Sequence, residues 1–301
     1  MSVEIDRARL EEIPELQRFI DEHWRRGHVL ARDDELLRWQ HRSLAQPDRL
    51  AILVAREAGG LVAMLGLVEF ELCAGERRGR GAWMTNWLVV PERRGEGIGA
   101  ALVERACTEY ALVGALDAND ATRRALAGSF VERPILRWAL PYDPDGLRAL
   151  LGREPGWAET ALSSTADEFV GACRDAEFVA WRYRQHPRFE YTVLEGGSGL
   201  AAYRFAGSVL RVVDFLGGEE LAQKVAEAGR RTGAAFAEFS CHSAAYGAPL
   251  EAAGFRQARG LPSRFQPLDL AERPDVSCFW GLDGEEPYVT AADSDLDRPN
   301  E

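Results

Sequence analysis

Residues 83–110 constrain the fold more than any other stretch of the chain. Trp83 to Val90 reads as a strand that stops at Pro91. It is followed by Glu92, Arg93, Arg94, Gly95, Glu96, Gly97, Ile98 and Gly99, and then by Ile98, Ala101, Leu102 and Ala106 at helical spacing. A strand must therefore run through a glycine-rich turn straight into a helix N-terminus, whose unpaired amides carry about half a positive charge. Such a turn suits a diphosphate. Glycines let phosphate approach the backbone, and Arg93 and Arg94 put cations at its mouth. Two other phosphate loops are excluded. A Walker loop needs Gly-Lys, and the single lysine is Lys224. A dinucleotide fingerprint follows the first strand of a βαβ unit, whereas here an antiparallel meander precedes Gly95, Gly97 and Gly99.

The meander is legible upstream. A strand is predicted over Val3–Ala8, helices over Ile13–Trp24 and Asp34–Leu44, and strands over Leu50–Arg56 and Leu61–Leu72 joined by Ala58-Gly59-Gly60. After the helix at Gly97–Tyr110 come a strand, Ala111–Leu116, and a helix, Ala121–Ala127. The order is α+β. Proline and glycine punctuate Pro141–Ser164, which leaves room for a short helix at Leu147–Leu151 and places a boundary there. Beyond it the order partly repeats. Strands are expected at Tyr191–Leu194, Leu200–Phe205 and Val209–Phe215, a helix at Glu219–Arg231, a strand at Ala235–Ser240 and a helix at Ala244–Ala253. The division is thus residues 1–143, a linker 144–165, a second domain 166–285 and an acidic tail 286–301.

Composition excludes several classes. The chain has 301 residues, 46% of them hydrophobic, and a net charge of −12, which disfavours a general nucleic-acid binder. No run of about 20 uncharged apolar residues offers a membrane span and no leader is visible, so a cytoplasmic protein is expected. Cys73, Cys107, Cys173, Cys241 and Cys278 form no C-x-x-C pair and read as reduced thiols. Asp293-x-Asp295-x-Asp297 starts like a calcium loop but has Arg298 where the loop needs glycine. No metal site is assigned. The tail is expected either to be solvated or to dock on the chain's own arginines.

Val90-Pro91-x-x-Arg94-x-x-Gly97-x-Gly99, between a strand and a helix, resembles the acetyl-CoA motif of the GNAT N-acetyltransferases, [Arg or Gln]-x-x-Gly-x-[Gly or Ala]. The element order from Val3 to about Trp138 is similar to that fold. The resemblance implies tandem GNAT folds with mixed, mostly antiparallel sheets flanked by helices, and acetyl-CoA as co-substrate. It implies that the strand at Leu88 and Val90 splays and holds the pantetheine arm. It also implies that Arg93, Arg94, Gly95, Gly97, Ile98, Gly99 and Ala100 hold the pyrophosphate and that Asn119 is a further cofactor contact. A backbone amide near Leu88 would polarise the thioester carbonyl.

The remaining roles are less well marked. Arg80–Pro91 carries no carboxylate to serve as general base, so Glu69, with Glu71 on the same strand face, is the candidate, and the plain alternative is two solvent-facing side chains. His23, His28, Asp33 and Asp34 flank the expected acceptor entrance. The family's Tyr-x-x-x-Gly-Phe becomes Ala125 to Phe130 here, without the tyrosine that protonates the thiolate; Tyr110 and Tyr142 are substitutes. The second half resembles the same fold with its cofactor loop reduced to Leu216, Gly217 and Gly218, a degenerate copy. Trp181-Arg182-Tyr183-x-x-His186-Pro187 resembles a phrase of acetyltransferase-like proteins from bacterial surface-polysaccharide clusters. These resemblances imply transfer of acetyl to a primary amine of a small molecule, with an amino sugar, free or nucleotide-linked, first among acceptors. The alternatives are another small amine, as in tandem enzymes that acylate pseudo-disaccharides, and a non-catalytic CoA- or protein-binding module.

Overall fold

The computed structural model describes residues 3–116, 118–145, 148, 156–157, 169–196, 199–242, 245–259, 277–281, 287–293 and 297. Its first half runs β1 (Glu4–Arg9), α1 (Ile13–His23), α2 (Asp34–Gln40), β2 (Arg49–Glu57), β3 (Gly60–Ala74), β4 (Arg77–Val89), α3 (Ile98–Glu109), β5 (Leu112–Leu116), α4 (Asp120–Leu126), β6 (Val131–Pro134) and β7 (Leu136–Pro141). The second half runs β8 (Gly156–Trp157), β9 (Val170–Ala172) and α5, which is Ala176–Val179 continued by a π-helical turn, Ala180–Arg184. It continues through β10 (Thr192–Gly196), β11 (Gly199–Ala206), β12 (Val209–Leu216), α6 (Glu219–Thr232), β13 (Phe236–Cys241), α7 (Gly247–Ala252), β14 (Arg256–Arg259) and β15 (Ser277–Trp280). Ile13, Leu16, Phe19 and Ile20 bury one stripe of α1 under β2, and Asp33 caps α2 by accepting from the Leu36 amide at 2.9 Å. The predicted Leu147–Leu151 helix lies largely outside the described residues.

The strands form two mixed, mostly antiparallel sheets that exchange strands: the first takes β9 and β15 from the second half of the chain, and the second takes β7 from the first half. The first has the order β1-β2-β3-β4-β5-β15-β6, with β9 on the far end of β3; the second is β10-β11-β12-β13-β7-β14-β8. Only Ile135 separates β6 in one sheet from β7 in the other. A contiguous division at residues 143 and 285 therefore does not describe the lobes, because β7 belongs to the second and β15 to the first. Propensity and periodicity mark a strand but not its sheet, so the exchange had no local signal.

One apolar core spans both lobes, with Phe70 and Trp83 packed together with Phe178, Trp181, Val213 and Trp280. At its edge the Trp39 indole donates to the Trp181 carbonyl at 3.0 Å and the Trp181 indole donates to the Trp39 carbonyl at 3.1 Å. The reading of all cysteines as thiols is corrected. Pairing of β9 with β3 sets Cys73 opposite Gly171, and Cys73 and Cys173 are disulfide-bonded, with Cα atoms 5.1 Å apart across 100 residues of sequence. No short-range pattern foretells a bridge of that span.

Of the two readings of the tail, docking is the one observed for its described residues, 287–293 and 297. Tyr288, Val289, Thr290 and Ala292 are buried. The buried Asp293 pairs with Arg174, and the buried Asp297 pairs with Arg204.

Candidate active site

The site begins as a fault in a sheet. β4 runs parallel to β5 only from Gly81 to Met84, against Leu112–Ala115. Just beyond, the β3–β4 register slips: Gly66 faces Thr85 and Met64 faces Leu88, so β4 has one residue too many. Asn86 absorbs it at φ +47°, a left-handed conformation that asparagine tolerates better than most residues. The bulge turns β4 away from β5 and opens a groove of about 630 Å³ between them.

The glycine turn closes one end of this groove. Gly95 and Gly97 have φ of +86° and +82°, and a Cβ at either would meet nothing, so the requirement there is backbone conformation. Gly97 is the N-cap of the 12-residue α3, which starts with its amides at the groove. Gly99 serves another purpose. A Cβ there would stand 3.0 Å from Trp87 Nε1, so its absence lets α3 sit against the Trp87 indole. Trp87 lines the groove, and its buried Nε1 has no hydrogen-bond partner among the described residues.

Leu88, Arg93, Arg94, Gly95, Gly97, Ile98, Gly99, Ala100 and Asn119 all line the groove, so the structure gathers nearly the whole predicted cofactor set. Three corrections follow. Val90 is not in the lining: its amide donates to the Val62 carbonyl at 3.0 Å. By strand alternation Leu88 also turns its amide to β3, so the backbone groups facing the open edge are those of Val89, whose carbonyl accepts from Arg94 Nε at 3.1 Å. The bulge, invisible in the sequence, shifted the phase by one residue. Arg93 is engaged by Glu57 and by Glu96 at 2.8 Å, which leaves exposed Arg94 as the cation at the turn without a carboxylate partner among the described residues. Asn119 caps α4, accepting from the Thr122 amide at 2.9 Å.

Glu69 is neither solvent-facing nor in the groove, which corrects its assignment as general base. It is 1% exposed beneath the C-terminus of α3. Arg7 donates to it at 2.8 Å, the Tyr110 hydroxyl donates to it, and the Leu44 amide donates at 2.6 Å. Burial, reinforced by Glu69, pushes the Tyr110 phenol well above its ordinary range, so Tyr110 is a structural donor. Burial pushes Tyr142 up to about 12, and it packs against α6 in the other lobe. Glu71 is exposed. Asp33 accepts from Arg188 at 2.6 Å, Asp34 accepts from Gln17 at 2.8 Å, and His28 caps the turn at Leu30. Of the entrance candidates only His23 lines the groove, beside Trp24.

One cluster was missed. His41, directly after α2, is 1% exposed; its Nδ1 donates to the Leu67 carbonyl at 2.8 Å, and its Nε2 lies 3.2 Å from Gln40 Nε2 and 3.3 Å from Asn86 Nδ2. Asn86 and Thr85 line the groove above it. An Asn before the aromatic Trp87 in a strand is a weak hint of a bulge, and nothing in the sequence ties it to position 41.

Residues 4–115 match the family model of the acetyltransferase (GNAT) domain. The first lobe is a GNAT domain. Solved structures extend the likeness over both lobes. A GCN5-related N-acetyltransferase from Kribbella flavida is 16% identical over 94% of this chain and 72% of its own, at a TM-score of 0.53. A conserved protein of unknown function from Enterococcus faecalis V583, titled a probable N-acyltransferase, is 12% identical over 92% and 72%, at 0.52. At these identities the likeness is one of fold, two GNAT-like lobes in tandem. No curated protein matches the chain. Among the described residues no helix is long and apolar enough to cross a membrane.

Proposed function

We propose that the protein transfers an acetyl group from acetyl-CoA to a primary amine of a small molecule, using the GNAT lobe alone. The observation that carries this reading is the open wedge between β4 and β5, ending at the Gly95–Gly97 turn and the first turn of α3. The α3 amides and Arg94 hold the pyrophosphate. The edge of β4 at Val89 pairs with the amide groups of the pantetheine arm and presents its N–H to the thioester oxygen, where negative charge develops.

The reaction needs little more from the protein. The neutral amine attacks the carbonyl carbon, a C–N bond forms, the C–S bond breaks, and the proton lost by nitrogen balances the departing thiolate. A thiol of pKa about 8.5 leaves without a dedicated acid, which fits a groove without the family's tyrosine. An amino sugar, free or nucleotide-linked, is the acceptor class to try first, since Trp24 and His23 at the mouth offer ring faces to a sugar. Release of free thiol from acetyl-CoA over a panel of primary amines tests the proposal. Turnover with any amine supports it, and CoA binding without turnover on any of them would leave a non-catalytic CoA-binding module.

A further inference from the structure

The two lobes allow one to be read against the other, and the match extends to side chains. Arg32-Asp33-x-Glu35-x-x-x-Trp39-x-x-Arg42 in the first half and Arg174-Asp175-x-Glu177-x-x-x-Trp181-x-x-Arg184 in the second share five residues in register. Asp33 and Asp175 are the N-caps of α2 and α5. His41 and Tyr183 therefore stand at the same place, each eight positions after its cap (33 to 41, 175 to 183). The strands correspond as well. The parallel ladders end at Met84 and at Val212, and two positions on (84 to 86, 212 to 214) lie Asn86 and Asp214. In each lobe the helix-end residue bonds the strand residue: Asn86 Nδ2 donates to His41 Nε2 at 3.3 Å, and the Tyr183 hydroxyl donates to Asp214 Oδ2 at 2.6 Å.

The second lobe shows what that strand residue is for. Its wedge is filled by the chain's own tail, and the Thr290 hydroxyl reaches Asp214 Oδ1 at 3.2 Å. In the first lobe the corresponding place is the groove. There the Thr85 hydroxyl, on a residue more than nine-tenths buried, has no hydrogen-bond partner among the described residues, and the buried Gln40 Oε1, beside His41 and outside the groove lining, has none among them either. A buried acceptor left without a donor is destabilising, so such a site selects a ligand that brings N–H groups.

Resting on the acyltransferase reading, we propose that Asn86 receives the N–H of the acceptor amine at the bulge of β4, with His41 as the positioning residue that fixes its side-chain amide. The Leu67 carbonyl holds the proton on His41 Nδ1, Nε2 thus accepts from Asn86 Nδ2, and Asn86 Oδ1 is directed away from His41. A neutral amide is the right acceptor for this chemistry. A carboxylate at position 86, like Asp214 opposite Arg174, would favour the ammonium form, which has no lone pair to attack with.

The experiment uses acetyl-CoA, the amine panel and the full chain. Asn86→Gly keeps the left-handed backbone while removing the amide. It is expected to bind CoA within twofold of the parent and to lose at least tenfold in kcat/KM for the amine, while KM for acetyl-CoA holds. His41→Leu should lose a similar amount, and His41→Gln, which can donate to Leu67 and accept from Asn86, should recover most of it. Unchanged kcat/KM for the amine in Asn86→Gly, beside an active parent, overturns this assignment alone. A parent idle on every amine overturns it together with the acyltransferase reading.

Discussion

The chain carries the same wedge twice, one open and one filled. In both lobes a four-residue parallel ladder ends and the outer strand slips register, after Met84 in β4 and around Val213 in β12. In the first lobe the gap stays open and the glycine turn of α3 stands at its end. In the second, residues 287–293 enter it. The His242 amide donates to the Val289 carbonyl at 2.8 Å on one side, and the Ala292 amide donates to the Val213 carbonyl at 3.1 Å on the other. A splayed pair of strands leaves backbone donors and acceptors without partners, and these must be met by water, by a ligand or by more chain. The two lobes meet the same demand in different ways, and the extended tail takes in the second the position proposed for the extended pantetheine in the first.

The largest effect expected from this contrast is on cofactor binding. Titration calorimetry should give one CoA per chain. Gly97→Asp should abolish the signal, since a carboxylate about 4 Å from a phosphate charge costs on the order of 4 kcal/mol at an effective dielectric of 20, about a thousandfold in affinity. Asp tolerates the left-handed N-cap, so the melting temperature should change little. Two sites per chain, or stabilisation by CoA retained in the variant, would break the comparison. Binding should also weaken steeply with salt, because exposed Arg94 and the helix terminus act within a Debye length of about 8 Å.

Much of this contrast was legible in sequence. Strand, Pro91, glycine turn and amphipathic helix each follow from local stereochemistry, so the groove end was readable from Arg93 to Ala100. The middle was not. The bulge at Asn86 depends on what β3 and β5 offer across the sheet, and missing it put the backbone contacts on Leu88 and Val90 instead of Val89. Glu69 reads as half of an exposed strand pair because its partners, Arg7, Leu44 and Tyr110, are distant in sequence. The duplication was visible in element order, while the shared Arg-Asp-x-Glu-x-x-x-Trp-x-x-Arg needed the two helices side by side. Strand exchange and the Cys73–Cys173 bridge are long-range pairings that no local pattern encodes.

The next effect concerns stability, and it belongs to the filled wedge. Asp297 accepts from Arg204 at 2.5 Å and from the Tyr191 hydroxyl at 2.7 Å, with Arg211 at 3.4 Å. Asp297→Asn leaves the buried Arg204 without its carboxylate, while Arg211 keeps Glu238 at 2.7 Å, and should cost about 3–5 kcal/mol in urea unfolding, with CoA affinity in the open lobe held within a few-fold. A loss under 1 kcal/mol would mean that the tail is an ornament of the second lobe, not its ligand.

Acid should loosen the same region in two stages. Burial, with Arg182 nearby, pulls His186 down to about 3. Its neutral ring therefore contributes stability that is complete above about 6.5 and is lost as pH falls toward 3. Burial alone would raise Asp297, but the hydrogen bonds and charge of Arg204, joined by Arg211, hold it at about 2, so its contribution is complete above about 3.8 and fades below that. Urea midpoints should decline from pH 7 to 4, and His186→Gln should flatten that slope. An equal slope in the variant would assign the decline to other groups.

The smallest effect tests whether the lobes are equal partners where they meet. Trp39 and Trp181 exchange indole-to-carbonyl hydrogen bonds, and each ring lies beneath an arginine, Arg182 over Trp39 at 5.0 Å and Arg42 over Trp181 at 4.2 Å. Replacing either by Phe removes one hydrogen bond and weakens one cation–π contact, about 1–2 kcal/mol. The rings also stack on each other at 5.4 Å, so the double variant should lose less than the sum of the two. Equal single losses with that shortfall would make the junction a two-fold device built from a duplicated helix. If Trp181→Phe cost much more than Trp39→Phe, the second lobe would be acting as the scaffold on which the catalytic one is held.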